Sequence, residues 1–546
     1  MFSEHERATD GLTRRRYLTL AAAGGTALGI ASSSGTVSAD GHSNEDVTIR
    51  SDEAADPVDI AATVYRPAGA TASDPVPMIL HSHGWSGSRT ASDGAFRTEL
   101  DADFGILSFD QRGHGESGGQ AHIQEPDREG RDVIAVLDYV AGLDWVARSA
   151  TDLPIPTEAN PMVFAMGGSY GGAYQLVGAF TETRETGYTR FDALAPQITW
   201  FGLTESLAPE NVPRSTWLGA LYAVGSSMVP RYIHESFAYS VTTGLWPNGD
   251  SVGEPDSERK LRDNGPAGFL DEGVRIDVPV LFGQGLSDNL FNFNQAWKNF
   301  EQGLTEAARA NSAVVGYNGG HALPNAFPPG TISYTNPSGP TNDFASARLR
   351  FFKHVRDGTG DARDVVGARY RLATASGSRA VSVEHVDDRT PIGGGVDLQV
   401  TGDGDGGLAI DSINDGIAAT TTGAGAPLHL PLAEGPVTVA GVPDLSATVT
   451  SENVYQRLFA ALSDGETPAT AQVLQNNVMP LHEPEPVDGV DRTIELPGVA
   501  ADVREGETLF LTLSATSDMF PLHGSTRTPG VMLLEDLTVG VPLVDD

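Results

Sequence analysis

The amino-acid sequence predicts an α/β domain, with a mostly parallel sheet covered by helices on both faces, followed by an all-β sandwich. Three observations lead there. Short apolar runs alternate with amphipathic helical patterns up to about residue 360, the alternation breaks over 198–277, and the texture changes after residue 361. The chain has 546 residues, more than one ordinary core holds. Its 40% hydrophobic and 20% charged residues suit a soluble globular protein.

The first forty residues stand apart. "TRRRYLTLAAAGGTALGIASSSGTVSAD" has Arg14 and Arg15, then Tyr17 and Leu18, then a run of small and apolar residues ending in Val-Ser-Ala. This is the layout of a twin-arginine export signal over residues 1–39, with cleavage after Ala39. The run is glycine-interrupted and falls short of the ~20 apolar residues that span a membrane. The expectation is a soluble protein exported to the cell surface or beyond, without stable membrane insertion once the signal is removed.

From residue 45 the runs "DIAATVYRP", "VPMILHSHG", "FGILSFDQRG", "NPMVFAMGGS", "FDALAPQ", "VPVLFGQGLSD" and "SAVVGYNGG" each read as a buried strand ending in a turn. Near-continuous apolar strands are those of a parallel sheet with both faces covered. Val133, Ile134, Leu137, Val140 and Ala141 share one helix face. Phe293, Trp297, Phe300 and Leu304 share a second, and Phe344, Ala347, Phe351 and Val355 a third. The insert at 198–277 is rich in aromatics and reads as a helical cap over one end of the sheet. After residue 361 alternating stretches such as "VTVAGVPDLSATVTS", "RTIELPG" and "TLFLTLSA" indicate a jelly-roll-like β-sandwich to residue 546. "TGDGDGGLAIDSINDG" lacks calcium-loop spacing and reads as a solvated acidic turn.

Acidic residues number 72 against 35 basic ones, a formal charge of −37. Lys260, Lys298 and Lys353 are the only lysines. Such a surface repels nucleic acid and anionic lipid and resembles that of proteins from high-salt organisms. There is no cysteine, which excludes disulfides, thiolate nucleophiles and cysteine-bound zinc.

One stretch carries chemistry. "FAMGGSYGGAY" follows an apolar strand and precedes a helix marked by Leu176, Val177 and Phe180. Gly167-Gly168-Ser169-Tyr170-Gly171 satisfies G-x-S-x-G in the strand–turn–helix setting of a nucleophile elbow. Side chains at the flanking glycines are expected to collide with the neighbouring strand and helix. A serine hydroxyl needs a base and a group to orient that base. Asp288 and His321 follow the next strands, in the order acid then histidine that an α/β-hydrolase uses, at the strand ends where open α/β sheets bind ligands. His354 lies within a helix, far from any strand end. "HSHGWSGSR" offers the Trp85 amide as one oxyanion donor, with the Tyr170 amide as the second. Asp110, Arg112 and His114 in "FDQRGHGESGG" are expected to hold a turn together.

With these residues in place, the chain resembles the α/β-hydrolases of the Xaa-Pro dipeptidyl-peptidase and cocaine-esterase family. "GGSYGGAYQL" looks like its elbow, "VPVLFGQGLSDNLF" its acid segment and "NGGHA" its histidine loop. "VAGVPDLSATVTSENVYQRLFAALSDG" resembles its C-terminal jelly-roll. The family often places a tyrosine hydroxyl in the oxyanion hole. Here His83-Gly84-Trp85 occupies that segment, and a backbone amide must serve.

The resemblance implies acyl transfer by Ser169, His321 and Asp288 within a catalytic domain at 45–360, without a metal or organic cofactor. Peptides cleaved after an Xaa-Pro pair are the expected substrates, and small esters or amides the alternative. Trp200, Phe201, Trp217 and Tyr222 of the cap are the expected substrate-binding residues, and Glu205 and Glu235 are candidates for gripping a free amino terminus. The competing reading is a non-catalytic cell-surface binding protein with a vestigial hydrolase domain.

Overall fold

The computed structural model describes residues 36–37, 41–321, 343–376, 379–402, 408–412, 427–452, 456–476, 478–514, 517, 519–520 and 530–544. The expected export signal lies outside the described residues, apart from Thr36 and Val37. So does most of the acidic stretch from Thr401, of which Thr401 and Gly402 end one strand and Leu408–Ser412 form another.

The central sheet has eleven strands among the described residues: Thr36–Val37 (β1), Ser43–Ser51 (β2), Val58–Arg66 (β3), Met78–Ser82 (β4), Gly105–Phe109 (β5), Val163–Gly168 (β6), Phe191–Gln197 (β7), Leu281–Gly285 (β8), Ala313–Tyr317 (β9), Tyr370–Ala373 (β10) and Ala380–Val383 (β11). Their spatial order is β1-β2-β3-β5-β4-β6-β7-β8-β9-β10-β11. The pairs from β5 across to β10 are parallel, and β2, β3 and β11 add antiparallel edges. Successive residues of a strand face opposite sides of the sheet. Leu80 and Leu107 accordingly join Val133, Leu137, Leu176 and Phe180 in one core. Ile79 and Ile106 join Phe164, Phe344, Phe351 and Phe352 in the other. Helices Arg131–Ala141 and Tyr170–Thr186 thus cover one face, and helix Phe344–Asp357 the other.

The domain boundary differs from the expected one at 360–361. Strand β10 runs parallel to β9, with Tyr370 opposite Val314, and β11 hairpins onto it. The run of helices ends with Ala362–Val366, whereas the sheet continues to Val383 because Tyr370–Ala373 is a fully buried strand. Beyond it, strand Asp444–Ser451 alternates half-buried and buried positions. That period-2 pattern packs one side against a separate core built from Leu445, Val449, Leu458, Leu511 and Leu534.

The insert between β7 and β8 is helical: Leu203–Leu207, Ser215–Gly225, Arg231–Thr243, Ser257–Asp263 and Pro266–Asp271. A further buried cluster joins Tyr170 of the catalytic domain, Trp200 and Trp217 of the insert, Leu290 and Phe291 after β8, and Phe459, Met519 and Phe520 of the sandwich. Three parts of the chain therefore share one apolar core.

The turn after β5 is structural. The Arg112 guanidinium donates from Nε and Nη2 to both oxygens of Asp132, each at 2.8 Å, and from Nη1 to the Asp56 carbonyl at 2.6 Å. Asp110 accepts from the Glu116 amide at 2.9 Å and pairs with Arg89. Both Arg112 and Asp132 are buried. Replacing one partner strands the other charge without water. Asp132→Asn is expected to lower folding stability by about 3–5 kcal/mol, read as a lower urea midpoint at unchanged slope.

Candidate active site

Ser169 stands between β6 and helix Tyr170–Thr186 with φ 56° and ψ −123°. That strained conformation lifts the side chain out of the sheet. It persists because the helix start is pressed against neighbouring backbone. A Cβ on Gly171 would lie 2.4 Å from the Ser82 carbonyl oxygen, and one on Gly167 2.3 Å from the Gly171 oxygen. Gly168 is different, since the nearest atom to a Cβ there is 3.6 Å away. The collision expected at the flanking glycines is therefore real at Gly167 and Gly171 and absent at Gly168. The Ser169 amide donates to the Gln197 carbonyl at 2.9 Å, tying the turn to β7.

His321 follows β9 and brings Nε2 to 2.8 Å from Ser169 Oγ. Its Nδ1 lies 2.7 Å from Asp288 Oδ2. Asp288, in the turn after β8, is fully buried. Its Oδ1 accepts the Leu290 and Phe291 amides, both at 2.9 Å, and Gln284 Nε2 lies 3.4 Å from Oδ2. With Asp288 ionised, His321 carries its proton on Nδ1 and presents an unprotonated Nε2 to the serine. Trp217 and Phe291 meet the imidazole edge to face at 5.3 and 5.1 Å, which fixes its plane.

After β4, Gly84 comes beside the serine; a Cβ on it would sit 4.0 Å from Ser169 Cβ. The Gly84 carbonyl accepts from His83 Nδ1 at 2.8 Å and from the Gly87 amide at 3.0 Å. A trans peptide aims its N–H opposite to its C=O, so these two bonds set the direction of the Trp85 N–H. His83 Nε2 accepts the Gln111 amide at 3.1 Å, and burial holds the imidazole below its ordinary pKa, in the neutral form this pattern needs. Tyr170 begins its helix, where the first N–H groups have no intrahelical acceptor. Among the described residues neither the Trp85 nor the Tyr170 amide has a backbone carbonyl partner.

An apolar cavity of about 100 Å³ opens beside Ser169. Trp85, Tyr170, Trp200, Tyr222, Trp246 and Phe291 form its aromatic walls, and Leu218, Leu221 and Ile233 of the insert roof it. Trp200 and Tyr222 thus stand where expected, while Phe201 and Trp217 do not line this cavity. Phe201 is buried outside the lining, and its amide donates to Gln295 Oε1 at 2.9 Å. Trp217 faces the histidine and donates to Asn289 Oδ1 at 3.0 Å. Glu205 is paired with Lys298 at 3.0 Å, and Glu235 with Arg231 at 2.7 Å. Neither reaches the cavity, whose lining contains no carboxylate. Leu221 and Ile233 are walls that sequence reading did not name, while Tyr170, expected for its amide, also lends its ring, and Trp246 is one of the insert's aromatics. Tyr170 carried the signal, since the residue after the nucleophile always sits at the site.

The fold and this site define an α/β-hydrolase with an appended β-sandwich. The model for X-Pro dipeptidyl-peptidase (S15 family) matches residues 56–228, the segment that carries the elbow. That match and the site together support a hydrolase, a peptidase or an esterase, similar over this segment to that family. A sequence comparison with curated proteins finds no match. Among solved structures it is similar to a CocE/NonD family hydrolase from Staphylococcus aureus, with TM-score 0.62 and 12% identity over 92% of this chain and 94% of that one. An aminopeptidase from a marine sediment Thaumarchaeota archaeon gives TM-score 0.59 and 12% identity over 95% and 99%. An α-amino acid ester hydrolase gives 0.57 and 12% over 93% and 98%. At such identities these likenesses concern the fold, including the sandwich.

The elbow geometry separates two glycines. Gly171→Ala is expected to abolish Ser169 labelling by a fluorophosphonate and to lower the melting temperature by several degrees. Gly168→Ala should keep both within about twofold and 2 °C, because nothing stands where its methyl goes.

Proposed function

We propose that this protein is an exported serine hydrolase in which Ser169 attacks a carbonyl carbon while His321 takes its proton. Asp288 holds the imidazole in the required tautomer and stabilises the imidazolium that forms. The amides of Trp85 and Tyr170 receive the tetrahedral oxyanion, and water then releases the acyl group with His321 as base. One observation carries the reading: an unbroken hydrogen-bonded chain runs from Ser169 Oγ through His321 to buried Asp288, at 2.8 and 2.7 Å. A vestigial site would have no reason to keep the strained serine, the base and the acid together.

The cavity supports an ester or amide with an uncharged apolar acyl group. Apolar cavities of ~150 Å³ admit a benzene ring, so this smaller one suits a single ring or a short branched chain. A free amino terminus entering it would lose its hydration with no carboxylate in the lining to replace it. Cleavage after an Xaa-Pro pair is the second reading, favoured by the family match over 56–228 and by a cavity that would also hold a proline ring.

Ser169→Ala is expected to lose fluorophosphonate labelling and at least ~10⁴-fold of kcat, with an unchanged melting temperature. Unaltered turnover in that variant would remove the mechanism. In high salt, p-nitrophenyl esters of short or aromatic acids should exceed Xaa-Pro-anilides in kcat/KM by ~100-fold or more, about 3 kcal/mol in activation free energy. The opposite order would restore the peptidase as first reading. Export is tested separately: changing Arg14 and Arg15 together to Lys should leave precursor inside the cell, and the exported wild type should begin at Asp40.

A further inference from the structure

Arg214 lies at the start of cap helix Ser215–Gly225 and is 1% exposed. Its Nη1 donates to the Asn289 carbonyl at 2.6 Å, one residue after Asp288. Three residues on, Trp217 donates to the Asn289 side chain and packs against the His321 ring. The guanidinium lies under Phe520 of the sandwich, 5.3 Å from the ring centroid. Burial brings Arg214 down to about 10, opposed by the Asp288 charge, so it remains a cation at neutral pH. No salt bridge to a carboxylate closes on it among the described residues, and its Nε is buried without a partner. A cation this costly to bury needs a reason beyond packing, since an apolar residue of similar volume would pack as well.

We infer that Arg214 is a positioning residue that clamps the acid turn beneath His321 and sets the pH range in which His321 acts as base, with Phe520 keeping it dry. This rests on the reading of Ser169, His321 and Asp288 given above. Among the described residues, the groups facing Asp288 include His321, the Leu290 and Phe291 amides, Gln284, the buried Tyr317 phenol and Arg214. Those facing His321 besides Ser169 and Asp288 are the uncharged Trp217 and Phe291 rings. A fixed positive charge held on the carbonyl of the residue after Asp288 disfavours an imidazolium on the carboxylate's other side. Its removal makes His321 easier to protonate, so activity is lost at a higher pH as the solution is acidified. The sandwich thereby acts on the chemistry, through one ring laid over one guanidinium.

The test is the pH dependence of Ser169 labelling by a neutral fluorophosphonate, which needs no knowledge of the substrate. In Arg214→Met the acid limb should move up by roughly 0.5–1 unit, with a plateau rate about tenfold lower. Arg214→Lys keeps the charge and alters the reach to the Asn289 carbonyl, so the limb should stay near wild type while the plateau still falls. Phe520→Leu opens the guanidinium to water, which screens it, and should move the limb the same way by less. A limb in Arg214→Met that superimposes on wild type overturns the inference, whatever happens to its melting temperature. If Arg214→Met does not fold, an unshifted limb in Phe520→Leu does so instead. Wild-type protein whose labelling is independent of Ser169 would sink the underlying reading and not this inference alone.

Discussion

The close approach of helix Tyr170–Thr186 to the sheet is the constraint on which the site depends. No side chain separates Gly171 from the Ser82 carbonyl or Gly172 from the Gln197 carbonyl. The Tyr174 hydroxyl donates to the Leu80 carbonyl at 2.7 Å, and Gln175 accepts the Ala195 amide at 3.1 Å while donating to Gly171 at 3.1 Å. At that distance the turn from strand to helix has to be sharp, and a serine at its apex must take a left-handed conformation costing ~1–3 kcal/mol. A few buried hydrogen bonds at about 1 kcal/mol each offset it. The same approach puts the helix N-terminus, with its unpaired amides, beside the hydroxyl. Nucleophile exposure and oxyanion stabilisation are thus two results of one packing arrangement.

Around this turn the reacting groups are held by one another. Asp288, His321 and Ser169 hold one another, and the carboxylate's second oxygen is held by two amides. Beside them stand aromatic and aliphatic walls. Hydrogen bonds in such surroundings act at low effective dielectric and need no reorganisation when charge develops. The excess of 72 acidic residues over 35 basic ones is therefore a property of the solvated surface. It says little about what the cavity accepts.

The strands, the elbow and the strand-end aspartate and histidine were legible because each is a local pattern with a geometric consequence. An apolar run of five or six residues ending in glycine leaves few alternatives, and a parallel sheet carries its strand ends to one rim. The insert was legible as helical and aromatic, yet not in its orientation. Trp217 turned to the histidine and Phe201 away from the cavity, because the directions of short helices are set by distant partners such as Asn289 and Gln295. The boundary at residue 360 was misplaced because a change in composition follows the helices, whereas strand pairing follows the sheet. The contact of Arg214 with Phe520 left no trace, since nothing in either neighbourhood specifies the other.

The position of the sandwich bears on what kind of cap this is. Cluster residues Trp200, Trp246, Leu290 and Phe291 that wall the cavity are continuous with Phe459, Met519 and Phe520, so the C-terminal domain supports the wall from behind. On that side a shift of the insert would open apolar surface to water at ~25 cal/mol per Å². The opposite side of the insert has less to lose. Helix Ser215–Gly225 is held at its start, where Trp217 meets Asn289 and His321, but most of its later residues and most of helix Arg231–Thr243, which buries only Ser236 and Ser240, are half-exposed or exposed. Few buried contacts mean a low local opening free energy. The same two helices supply the roof residues Leu218, Leu221 and Ile233. The cavity thus combines a wall anchored by a separate domain with a roof of half-exposed helices, and the base and its acid sit on the anchored side.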